Sequence, residues 1–123
     1  MSDENKLLTV GNIKNMIFSF RDLQIMINRD LVKLYGVPTK RVNEQVKKNR
    51  NRFPENIRFQ LFDNEKIELV SICDRFKKLK HLNVKPYAFK EQGVAMLSAI
   101  LHNQIAVEIG TKTMDALKNR FVK

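Results

Sequence analysis

Lys40, Asn43, Glu44 and Lys47 sit close together in one short stretch and carry side-chain groups that tell base pairs apart. Asn43 offers the paired donor and acceptor that match adenine N6 and N7. Lys40 and Lys47 can donate to guanine O6 or N7, and Glu44 can accept from cytosine N4. Thr39 and Arg41 complete this base-proximal set. Lys48, Arg50 and Arg52 follow directly and suit phosphate oxygens, contacts that position a helix without reading sequence. Arg58 is a further phosphate candidate. The chemistry is recognition rather than bond breaking. A reactive centre would need clustered carboxylates or a Ser/Cys-His arrangement, and the acids here are scattered along the chain. No enzyme activity and no cofactor are expected. His81 and His102 stand apart from any cysteine or carboxylate at metal-ligand spacing, so no metal site is expected either.

Two helices and a tight turn must hold the reading residues. Leu31, Leu34 and Tyr35 recur at the spacing of one helical face, and Gly36 follows where a left-handed backbone closes a helix. Thr39 is expected to cap the next helix with its hydroxyl. Within that second helix Val42 and Val46 share one side, while Lys40, Glu44, Lys47 and Asn51 fall roughly opposite. Such a helix fits a major groove, where long donors near its N-terminal half reach base edges. Neutralising about six phosphates would give a log-log salt slope near −5, roughly a thousandfold loss of affinity between 50 and 200 mM salt.

Charge agrees with this chemistry. The 123 residues carry a formal net charge of +10, the footprint of a domain that meets phosphates. Their length suits one domain over residues 1–123, and 43% hydrophobic residues suffice for one modest core. Residues 1–8 are expected to be flexible. No stretch approaches the ~18 apolar residues of a membrane span, and the polar start is no signal peptide, so a cytoplasmic protein without membrane contact is expected. Cys73, the single cysteine, lies among Val70, Ile72 and Phe76 and reads as a small buried apolar residue rather than a nucleophile.

The remaining elements follow from periodicity. The apolar run from Ile13 to Phe20 breaks at Arg21-Asp22 and resumes at Gln24-Ile25-Met26-Ile27, which predicts a hairpin, with Asn28 ending it and capping the first helix. Pro54 makes residues 52–56 a turn. Ile57, Phe59 and Leu61 alternate with Arg58 and Gln60 as a half-buried strand. Asp63 or Asn64 is expected to cap a helix whose inner face is Ile67, Val70, Cys73 and Phe76, ending in the lysine-rich residues 77–81. Tyr87-Ala88-Phe89 is a short extended piece that runs into a helix through Val94, Met96, Leu97, Ile100 and Leu101. A last amphipathic helix is expected over residues 105–121, weakened at Gly110 by about 1 kcal/mol. Its stripe of Ile109, Met114, Leu117 and Phe121 suits packing at home or on a second copy, a homodimer through this C-terminal helix.

Two blocks carry a closer resemblance. One holds Asp30-Leu31 with Leu34-Tyr35-Gly36-Val37, Thr39-Lys40-Arg41, Asn43-Glu44-Gln45-Val46-Lys47, Arg52-Phe53-Pro54-Glu55 and Phe59-Gln60-Leu61; the other holds Pro86-Tyr87-Ala88-Phe89 and Glu91-Gln92-Gly93-Val94-Ala95-Met96-Leu97. In these blocks the chain closely resembles the ORF-six N-terminal domain, a relative of the KilA-N and Bro-N domains of phage antirepressors and mobile-element regulators. The resemblance implies a small α+β fold, a helix-turn-helix-like pair plus further helices packed with a small antiparallel sheet. It implies binding of double-stranded DNA in phage or prophage transcriptional regulation, as the N-terminal module of a longer protein and without catalytic residues. The alternative it carries is an antirepressor-type module that captures a repressor protein. Two positions depart from the family pattern. Val32 replaces a small alanine where the two helices cross, which bears on their packing angle, and Lys90 replaces a threonine before Glu91, removing a helix cap worth about 1 kcal/mol. Glu91, Gln92 and Gly93 look motif-like but read as a helix start with a close helix contact at Gly93.

Overall fold

The computed structural model describes residues 13–101, 107–108, 110–112 and 114–116. Strands β1 (Ile17–Phe20) and β2 (Leu23–Ile27) form the expected hairpin. Arg21 and Asp22 turn it with φ of 55° and 60°, the left-handed pair that a two-residue hairpin needs to match strand twist. An arginine in that conformation is strained, and its side chain is correspondingly well held. Arg21 Nε and Nη2 donate to the two Glu65 carboxylate oxygens at 3.0 and 2.9 Å, and Nη2 also donates to the Gln60 carbonyl at 3.2 Å. The guanidinium lies over the rings of Phe59 and Phe62, at 4.2 and 4.1 Å from their centroids. The Arg21 hydrogen bonds hold the Glu65 carboxyl below the usual carboxylate range, against the upward push of burial.

β2 runs directly into helix α1 (Asn28–Tyr35), which Gly36 closes at φ 63° by donating to the carbonyls of Val32 and Lys33. Helix α2 (Thr39–Lys48) follows, then a 3-10 turn over Arg50–Arg52, strand β3 (Arg58–Gln60) and helix α3 (Asp63–Ile72). A 3-10 segment over Asp74–His81 leads to strand β4 (Tyr87–Lys90) and helix α4 (Glu91–Leu101). The four strands form an antiparallel sheet in the order β1-β2-β4-β3. The fold is α+β.

Both sheet faces are covered. Ile17, Met26 and Phe89 point to one face and pack with Leu31, Leu34 and Tyr35 of α1, Val42 and Val46 of α2, and Val94, Leu97 and Leu101 of α4. Phe20, Ile25, Ile27, Phe59 and Ala88 point to the other, against Leu69, Phe76 and Leu79. Val32 is half-buried against the first core. Tyr35 ties α1 to α4, its hydroxyl 2.6 Å from Ser98 Oγ. Gly93 lies against the Ile57 carbonyl, so the close contact there is with the backbone ahead of β3 rather than with a helix.

Several expected details change. Asn28 is the first residue of α1, not its cap, because extended Ile27 ends β2 and occupies the N-cap. Helix α3 is capped at Phe62, whose N–H donates to Glu65 Oε1 at 2.7 Å, and neither Asp63 nor Asn64 serves. Its buried residues are Glu65 and Leu69 with Val70 packed beside them, and Phe76 is buried as expected, whereas Ile67 is 69% exposed. The helix also stops at Cys73, and the chain continues as the 3-10 segment. Cys73 is only half-buried and accepts from Arg75 Nη1 at 2.9 Å. Helical backbone recurs at 107–108, 110–112 and 114–116, where Ala116 is buried and Met114 packs on the first core. Residues 1–8, His102, Ile109, Leu117 and Phe121 lie outside the described residues. Among the described residues no helix is long and apolar enough to cross a membrane.

Candidate nucleic-acid interface

Helix α2 starts on Pro38, whose φ of −63° and ψ of 146° bring the chain in extended. The Arg41 and Val42 N–H groups donate to the Pro38 carbonyl at 3.0 and 3.3 Å. Thr39 is therefore the first helical residue rather than the cap, and it is exposed. At the other end Asn49 closes the helix, its Nδ2 donating to the Gln45 carbonyl at 2.8 Å. Val42 and Val46 seat the helix on the core, fully or nearly buried.

That seating decides where the polar residues go. At ~100° per residue, Glu44 tops the outward crest directly opposite the two valines, with Lys40 and Lys48 ~40° to either side of it; Lys47, Asn43 and Thr39 follow down the flank beyond Lys40, and Arg41 lies on the flank beyond Lys48. All of these side chains are exposed, as are Arg50 and Arg52 just beyond the helix. The crest and flanks are strongly cationic. The ion pairs among the described residues join Arg21 to Glu65, Arg75 to Asp30, Lys77 to Asp74 and Lys85 to Asp63. None of them uses a cation of α2 or of the turn after it, and Glu44 pairs with neither neighbouring lysine.

The Asn43 flank opens onto the sheet edge. Asn43, Lys47 and Arg50 border a cleft of about 260 Å³ whose other wall is Arg58 and Tyr87. A second cleft of about 460 Å³ shares Asn43, Arg58 and Tyr87 and extends to Thr39 and Arg29. Arg58 is half-buried here rather than free on an open strand face. Its guanidinium lies 3.6 Å from the centroid of the Tyr87 ring and 5.6 Å from that of Phe89. Burial lowers the Arg58 pKa from its ordinary value, with Tyr87 opposing the shift, yet an arginine keeps its charge at neutral pH. A cation this close to a tyrosine ring face is held there by the ring quadrupole.

Tyr87 was not among the sequence candidates. The alternation of Tyr87 with Ala88 shows that it shares a strand face with Phe89, but its place beside Arg58 depends on the pairing of β3 with β4, where Gln60 opposes Tyr87 and Arg58 opposes Phe89. That pairing joins segments well apart in the chain. Among the described residues no group of three or more His, Cys, Asp or Glu gathers to hold a metal ion.

No curated protein and no solved structure matches the chain. The family model of the ORF6N domain matches residues 15–100, a span that takes in the hairpin, α1, α2, both later strands and nearly all of α4. With well over half of its length matched, the chain belongs to the ORF6N domain family.

Proposed function

We propose that this chain is a sequence-selective reader of double-stranded DNA in phage-type regulation, with α2 entering the major groove. Family membership supports a phage-type regulatory domain. The observation that carries the finer reading is the arrangement of α2: two buried valines hold it by one side, and the opposite side presents Lys40, Glu44 and Lys47 without ion-pair partners among the described residues. Unpaired exposed lysines and arginines release counterions when they meet phosphates, so they favour binding instead of being spent within the fold.

In this reading Lys40, Asn43, Glu44 and Lys47 face base edges, with Thr39 and Arg41 beside them. Lys48, Arg50 and Arg52 hold the phosphate backbone, and Arg58 reaches it from the sheet edge with Tyr87 behind its guanidinium. No catalytic step is assigned. The test is the affinity of the purified chain for a duplex at 50 and 200 mM salt. A log-log slope near −5 is expected for about six neutralised phosphates. No retention at either salt would contradict the reading and favour a protein-interaction module that captures a repressor.

A further inference from the structure

The cationic surface does not end with α2. Arg29 borders the 460 Å³ cleft beside Thr39 and Asn43, and it also borders a further cleft of about 380 Å³ on the far side of α1, together with Lys33, Lys77 and Lys78. Arg29 and Lys33 are one helical turn apart on α1, and both are exposed. The lysines opposite them are held in place rather than carried on a loose loop. Arg75 Nε and Nη2 donate to Asp30 Oδ1 and Oδ2 at 3.0 and 2.8 Å, fastening the 3-10 segment to the first turn of α1. The same guanidinium lies over Phe76, 4.8 Å from its centroid. The two acids at this cleft are both engaged, Asp30 by Arg75 and Asp74 by Lys77 at 3.5 Å. Arg29, Lys33 and Lys78 have no ion-pair partner among the described residues.

We propose that the exposed edge of α1 and the lysine-bearing 3-10 segment form a second contact strip for the phosphate backbone of the same duplex, with Arg29, Lys33 and Lys78 as its donors. The inference rests on the DNA-binding reading. It adds contacts outside the helix that reads the bases, so it governs affinity and footprint length and leaves sequence preference alone. Without this strip the lysines of the 3-10 segment would only solvate the surface.

The test compares the salt dependence of duplex binding by the full chain with that of Lys33→Gln/Lys78→Gln. Removing two phosphate contacts should lower the slope by about 1.8, so that the rise from 50 to 200 mM salt costs the variant roughly 12-fold less affinity than it costs the parent. The enriched DNA motif should stay the same, and Lys33→Arg/Lys78→Arg should keep the parent slope. Lys14→Gln/Lys112→Gln removes the same charge away from α1 and the 3-10 segment and should leave the slope near that of the parent. An unchanged slope in the first variant, or an equal drop in the last, overturns the strip while leaving DNA binding by α2 intact. A parent chain that binds no DNA overturns both readings together.

Discussion

Arg75 grips Asp30 with two parallel hydrogen bonds, Nε to Oδ1 at 3.0 Å and Nη2 to Oδ2 at 2.8 Å, across 45 positions of sequence. The Asp30 side chain is only 3% exposed, so this pair joins the start of α1 to the segment that covers the opposite sheet face. Arg75→Met would leave a buried carboxylate without its partner. The expected loss is about 2 kcal/mol, below the usual cost for a broken buried pair because the Arg75 side chain is 35% exposed. Urea denaturation checks it, and a loss under about 0.5 kcal/mol would mean that the pair contributes little to the fold.

Asn43 and Lys48 lie to either side of Glu44 on α2, Asn43 low on the flank beside the sheet edge and Lys48 near the crest, and should fail differently. Asn43→Ala is expected to broaden the sequence preference, with discrimination falling by about 1–3 kcal/mol at one base pair and the salt slope nearly unchanged. Lys48→Ala should weaken binding to all sequences alike and lower the slope by about 1. Competition binding against a panel of single base-pair variants separates the two outcomes. An equal loss on every sequence for Asn43→Ala would remove it from the base-reading set.

Tyr35 makes the fold sensitive to alkali. Its ring is 1% exposed, and burial pushes the phenol up to about 12, opposed by the hydrogen bond to Ser98. Below the ordinary phenol value of about 10 the stabilising contribution is complete. As pH rises beyond that, ionisation is favoured only in the unfolded chain, and stability is lost until pH passes the folded value. Urea midpoints measured from pH 9 upward should fall more steeply for the parent than for Tyr35→Phe. Parallel curves would show that Tyr35 does not carry the effect.

Gly93 tests how closely α4 approaches the sheet. Alanine normally gains about 1 kcal/mol over glycine inside a helix. Here a β-carbon would run into the Ile57 carbonyl oxygen, which also accepts the Lys90 N–H at 2.9 Å. Gly93→Ala is therefore expected to cost roughly 1–3 kcal/mol. A thermal melt decides the sign, and a gain in stability would refute the contact.

The sequence pattern made particular parts of this fold readable. Gly36, the valines of α2 and the break at Arg21-Asp22 each have local signatures, and the structure has them in the expected places. Helix starts were less legible. Asn28, Thr39 and Asp63 are good capping residues, yet each is the first residue of its helix. Ile27 and Pro38 enter those helices in extended backbone, and Glu65, gripped by Arg21, supplies the bond at α3 from three residues inside. The face of α3 was also hidden. Apolar residues surround this helix, so periodicity could not choose between Ile67 and Leu69, whereas Leu69 is buried on the same face as Glu65, which Arg21 holds from the hairpin. Most candidate site residues lie on one helix and were legible for that reason. Tyr87 was not, because strand pairing brings it beside Arg58.

The central claim is that α2 reads DNA sequence through its exposed polar face. The most direct measurement is selection from a random duplex library at 50 and 200 mM salt, with the parent chain beside a Lys40→Ala/Lys47→Ala variant. The expected result is an enriched motif for the parent at both salts that the variant loses. Retention of DNA with no motif, or the same motif from both proteins, would contradict the claim that these residues face the bases.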